Sequence, residues 1–207
     1  MSDKPATGAP WSRRPGVGLG LLVCLLSLLF FLVRPVAAAG PPAEIVDGLV
    51  MNSERELLLY FRLGDAMTPA MKEGVNNGIT LAIIYQVELL HHASTGLESL
   101  ANITFSRTLL FDTLKEEYRV TSTRQGEGAE VAATLAAAQR HLTWVHDLPL
   151  IALSGLAAGD RYLVKVMARL DRKGLPVRFQ NVIGFVKTWD FTTDWYHITF
   201  AVPQVSP

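Results

Sequence analysis

The chain has 207 residues, is 49% hydrophobic and carries 19 basic against 19 acidic residues, so it is formally neutral at pH 7. That balance offers no cationic excess to neutralise a phosphate backbone, which argues against nucleic acid as a partner. The single cysteine, Cys24, excludes an intramolecular disulfide and a thiolate metal site.

Lys4, Arg13 and Arg14 precede an apolar run from Val17 to Val33, followed by Arg34-Pro35-Val36-Ala37-Ala38-Ala39-Gly40. A charged start, an apolar core and a small-residue site are the parts of a secretory signal, so residues 1–39 are expected to be a signal peptide cut near Ala39. The run is longer than the roughly 7–15 residues of a signal core and shorter than the about 20 of a spanning helix. A single uncleaved anchor is therefore the alternative, and both place the amino terminus inside and the body outside. The expected location is periplasmic, or tethered to the outer face of the inner membrane, with membrane contact only through this segment. Ser12-Arg13-Arg14 is followed by Pro15 and Gly16, unlike a twin-arginine signal. Val23 before Cys24 is too large for a lipoprotein box. Lys4, Arg13, Arg14 and Arg34 against Asp3 lie in the leader, leaving 15 bases and 18 acids, net −3, for one domain over 40–207.

Along that body, Glu44 to Asn52 and Leu57 to Leu63 read as a hairpin around Ser53-Glu54. Leu57, Leu59, Phe61 and Leu63 share one face. Thr68-Pro69 predicts an N-cap and a first-turn proline, opening a short helix that stops near Asn76-Asn77-Gly78. Ile79, Leu81, Ile83, Tyr85, Val87 and Leu89 then line one face of a long strand. Thr104 to Asp112 and Glu117 to Thr123 form a predicted strand pair. After the turn at Gln125-Gly126-Glu127-Gly128, the alanine-rich stretch from Ala129 to Leu142 predicts a helix with Val131, Leu135, Ala138 and Leu142 on one stripe. Leu153-Ser154-Gly155, then Gly159-Asp160-Arg161-Tyr162, resembles a tyrosine corner leading into a strand with Tyr162, Val164, Val166, Ala168 and Leu170 inward. Asp171-Arg172-Lys173-Gly174 supplies turn chemistry before Leu175-Pro176. Six to eight strands without a βαβ rhythm predict a mainly β fold: an antiparallel β-sandwich, immunoglobulin-like or related, with one or two packed α-helices.

Three stretches carry a family resemblance. They are Thr68-Pro69-Ala70-Met71-Lys72-Glu73-Gly74-Val75-Asn76-Asn77-Gly78-Ile79-Thr80-Leu81, the stretch from Leu170-Asp171 to Leu175-Pro176, and Trp189-Asp190 with Asp194-Trp195-Tyr196. Together they resemble the bacterial DUF4390 family of exported proteins of unknown function, over roughly Glu44 to Phe200. His91-His92-Ala93-Ser94-Thr95-Gly96 departs from it, where members often carry an Arg- and Trp-rich segment. The resemblance implies a genomic association with a nitrogen-regulation-type sensor kinase, and it brings no catalytic residues.

Candidate chemistry is sparse. His91 and His92 are adjacent, so on a strand they face opposite ways and cannot converge on one metal. His141 and His146 lack a companion acidic motif. Asn102-Ile103-Thr104 matches a glycosylation tripeptide, which alone is weak. Asp190 and Asp194 would stand about 13 Å apart on a strand, beyond the roughly 5–9.5 Å of paired glycosidase acids. No catalytic, cofactor or metal residues are therefore expected. Trp189, Trp195 and Tyr196 are the candidate partner-binding aromatics, since an even spacing puts both indoles on one face of a continuous strand. The alternative is that tryptophan packs the core. The expected function is a non-enzymatic envelope module that binds a protein or extended peptide at an exposed sheet edge. An accessory component of an inner-membrane two-component signalling system and an envelope hydrolase are the alternatives.

Overall fold

The computed structural model describes residues 41–171 and 189–202. The expected leader over 1–39 and all but Asp171 of the turn expected at Asp171-Arg172-Lys173-Gly174 lie outside the described residues. Among the described residues, nine strands form two antiparallel sheets. The smaller holds β1 (Glu44–Asn52), β2 (Glu56–Gly64) and β7 (Trp144–Ala152) in the order β1-β2-β7. The larger holds β3 (Leu81–Ala93), β4 (Gly96–Asp112), β5 (Glu117–Ser122), β6 (Glu130–Ala132), β8 (Arg161–Leu170) and β9 (Tyr196–Ala201), in the order β6-β5-β4-β3-β8-β9. Their inner faces share one apolar core, the arrangement of a sandwich. Phe61 of β2 meets Tyr85 of β3 at 5.7 Å between ring centroids, and Tyr85 stacks on Phe105 of β4 at 5.1 Å.

Alternation in the sequence became burial in the structure. Leu57, Leu59, Phe61 and Leu63 are buried, as are Ile79, Leu81, Ile83, Tyr85, Val87 and Leu89. Tyr162, Val164, Val166, Ala168 and Leu170 are buried too, and the Tyr162 hydroxyl accepts a bond from the Ala157 N–H at 2.8 Å, closing the predicted corner. Helix α1 (Pro69–Asn76) begins where expected, with Thr68 Oγ1 accepting from the Met71 N–H at 3.2 Å. It ends at Gly78, whose φ of 82° lets the Ile79 N–H turn back to the Gly74 carbonyl at 2.9 Å.

Three expectations are corrected. The β3–β4 hairpin runs further than predicted in both strands, pairing His91 with Glu98 and His92 with Leu97. Its tip lies beyond the core, so no buried face imposes alternation there. The alanine-rich stretch is not one helix: residues 130–132 form β6, and α2 spans Leu135–Thr143. Thr134 is the N-cap, its hydroxyl accepting from the Ala137 N–H at 3.3 Å, and Val131 is half exposed on the strand rather than on the helix stripe. Strand β7, absent from the sequence reading, follows α2 with no intervening loop.

Candidate functional site

The structure separates the three predicted aromatics. Trp189 is 1% exposed, and its indole lies over Gly74 of α1, where a Cβ would come within 2.3 Å of the Trp189 ring carbon Cη2. It packs the core and takes no part in a surface patch. The stretch 189–195 is not a continuous strand: it is joined to β8 through an isolated bridge between Thr192 and Arg169. Thr193 turns inward there, its hydroxyl accepting from the Ala168 N–H at 3.0 Å and its own N–H donating to the Ala168 carbonyl at 2.9 Å. The even-spacing argument for two indoles on one face therefore fails. Trp195 is half-buried beneath Lys165, whose Nζ stands 4.3 Å from the ring centroid and also bonds Glu88 at 2.9 Å. Tyr196 packs over Gly48 of β1, where a Cβ would lie 2.4 Å from Cε1. With Glu44 and Asp194, these two aromatics line a cleft of about 260 Å³, so they share a site that Trp189 does not enter.

A larger aromatic surface lies on the outward face of the small sheet. It arises from two irregularities. Between Val46 and Leu49, β1 advances three residues while β2 advances two. Between Val145 and Leu148, β7 does the same against β2. Each bulge contains an aspartate with left-handed backbone, Asp47 at φ 55° and Asp147 at φ 50°. Aspartate tolerates that conformation better than most residues. The carboxylates then point to the same central strand. Asp47 pairs with Arg62 at 2.8 Å, and the Tyr60 hydroxyl donates to Asp147. That bond, with smaller contributions from burial and from the carboxylate charge, raises the Tyr60 phenol above its ordinary pKa.

Around this frame the outward face is apolar. Leu49 opposes Tyr60, Met51 opposes Leu58, and Leu58 opposes Pro149. Leu49 is 52% exposed, Met51 49% and Trp144 41%. His146 sits edge-on to both Tyr60 and Trp144, at 6.4 and 6.0 Å between centroids. Trp144 and His146 form a ridge between two clefts. One, about 160 Å³, is walled by Tyr60, Phe61 and Arg62; the other, about 320 Å³, by Glu130, Arg140 and His141. Sequence reasoning missed this surface. The available sign was the spacing Trp144, His146 in a strand pattern, obscured by the bulge that makes the buried positions Val145, Leu148 and Leu150 unevenly spaced.

Behind the ridge, Arg107 of β4 holds the junction of α2 and β7. It is 4% exposed and donates to the His141 carbonyl at 2.8 Å, to the Trp144 carbonyl and to Glu127. A cation against the last carbonyls of a helix also suits the helix dipole. Arg124 adds a bond to the His146 carbonyl at 2.9 Å and an ion pair with Glu127 at 3.3 Å. Burial by itself would raise the Glu127 pKa; hydrogen bonds from Ser122 and Arg107 and the charges of Arg107 and Arg124 outweigh it, and the net shift is downward. Tyr85 donates to the Leu142 carbonyl at 2.8 Å, and its complete burial raises its phenol pKa. These groups are committed to one another and fix the backbone carrying Trp144 and His146.

Of the histidines, His91 and His92 do face opposite sides; His91 bonds Asp160 at 2.8 Å and stacks on Tyr162 at 5.1 Å, rather than standing free in solvent. Among the described residues no group of three or more His, Cys, Asp or Glu side chains is placed to hold a metal ion. No helix among them is long and apolar enough to cross a membrane.

No curated protein and no solved structure matches the chain. A family model described as a domain of unknown function, DUF4390, matches residues 41–199, a range that holds α1, α2 and every described strand except the last two residues of β9. The chain belongs to the DUF4390 family.

Proposed function

We propose that the protein is an exported, non-enzymatic binding module of the cell envelope, and that the outward face of the β1-β2-β7 sheet is its binding surface. The observation that carries this reading is the grouping of Leu49, Met51, Leu58, Tyr60, Trp144 and Pro149 on one solvent-facing sheet surface. Exposed apolar patches edged by polar residues mark interaction sites, and tryptophan and tyrosine dominate binding energy at such sites. The ionisable groups around the patch support binding over chemistry. Asp47 is paired with Arg62, Asp147 accepts from Tyr60, and Glu127 is held by two arginines.

The test is selection of a random peptide library on the purified protein, followed by amide-exchange footprinting. Selected binders should protect strands β2 and β7, lose affinity in Trp144→Ala and keep it in Leu114→Ala, an apolar truncation at the exposed β4–β5 turn. Protection confined to other strands, or equal affinity of the two variants, would overturn the assignment of the surface. Export is tested by intact mass and fractionation. A chain starting at Gly40 in the envelope fraction, or an uncleaved one in the membrane with its body outside, fits the proposal; a full-length cytosolic chain does not.

A further inference from the structure

We infer that the outward face of the small sheet takes one extended polypeptide segment with an apolar centre and basic flanks, an inference that rests on the binding surface proposed above. Three observations define the occupant. First, the edges of this sheet are poorly suited to strand addition. β7 carries the Asp147 bulge and Pro149, which has no N–H to give, and β1 is bulged at Asp47 and Gly48 with Tyr196 packed over the glycine. A segment must therefore lie across the face instead of extending the ladder.

Second, the face is small. Each of its strands has nine residues. At about 3.4 Å per residue and about 4.8 Å between strands, that is roughly 440 Å² of sheet. Two copies meeting face to face would cover a footprint of roughly 900 Å² in total, short of the roughly 1,200 Å² at which stable interfaces begin. A second copy of the chain is thus a poor occupant, whereas one extended segment needs no more than this.

Third, the charge carried by the sheet itself is acidic. The three strands and the β1–β2 turn contribute Glu44, Asp47, Glu54, Glu56 and Asp147 against Arg55 and Arg62. Only Asp47 is matched by an ion pair among the described residues, with Arg62. An anionic lipid surface would be repelled by that excess, and basic residues at the ends of an apolar segment would be attracted to it.

The experiment uses the full-length protein and two fluorescent synthetic peptides with the same Leu-, Val- and Phe-containing centre, one flanked by lysines and one by glutamates. Anisotropy at low salt should give about tenfold tighter binding for the lysine-flanked peptide, since exposed pairs contribute about two- to fivefold each, and the advantage should shrink as salt screens them. Trp144→Ala should weaken it by at least about tenfold. Glu56→Lys, an exposed change that leaves the core intact, should narrow the gap between the two peptides. Equal or tighter binding of the glutamate-flanked peptide, Trp144-dependent binding to anionic vesicles, or a Trp144-dependent dimer in sedimentation would each overturn this occupant while leaving the face as a binding surface. Binding of neither peptide, or binding indifferent to both Trp144→Ala and Tyr60→Ala, would overturn the occupant and the proposed surface together.

Discussion

Replacing Gly74 by alanine pits two well-characterised effects against each other. In the interior of α1, alanine is favoured over glycine by about 1 kcal/mol. Here, however, the new Cβ would stand 2.3 Å from Cη2 and 2.4 Å from Cζ2 of Trp189, more than 1 Å inside ordinary contact. The indole is 1% exposed and hemmed in by the core, so it has no open side to move toward. Overpacking of this kind costs typically about 1–3 kcal/mol, and a clash this close belongs at or above the top of that range. The net expectation is a loss of about 2 kcal/mol, or roughly 4–8 °C in Tm for a domain of this size. Thermal and urea unfolding followed by far-UV circular dichroism read it directly. The sign should reverse on a Trp189→Leu background, where the space above residue 74 opens and the helix preference of alanine is left alone. A Gly74→Ala protein as stable as its parent, or a double-mutant cycle with no coupling, would refute the placement of Trp189 in the core and return it to the surface.

Two further outcomes follow from the polar junction behind the ridge. Arg107→Met should destabilise by about 2–4 kcal/mol in chemical denaturation, because it leaves the His141 and Trp144 carbonyls without their donor and Glu127 with only Arg124 and Ser122, and adding Glu127→Gln should recover part of the loss. Tyr85→Phe should cost about 1 kcal/mol near neutral pH through the lost bond to the Leu142 carbonyl. Because the folded phenol ionises at higher pH than the unfolded one, its contribution is complete below about pH 10 and fades as pH rises further, so the variant should lose less stability than the parent in that alkaline window. An unchanged alkaline slope in Tyr85→Phe would show that another group controls it.

Where burial imposed a period, the chain was legible. The alternations of β2, β3 and β8 placed their inward faces residue by residue, and Thr68-Pro69 located α1. These are local signals: a strand with one dry face must alternate, and a capped proline turn must start a helix. The mainly β antiparallel class and the family followed from the same stretches. The surface proposed for binding was not legible, because its construction is non-local. Two bulges on different strands re-aim Asp47 and Asp147 toward one central strand, and bulges break the very periodicity by which a strand is recognised. Trp189 shows the same limit from the other side. Spacing to Trp195 suggested a shared face, but its position was decided by a glycine 115 positions earlier that leaves room for an indole, and by Thr193 breaking the ladder between the two tryptophans. Sequence by itself determined which residues prefer to leave water and with what local period. Only the tertiary structure decided which of them succeeded, since burial depends on what the opposite sheet and helix leave open.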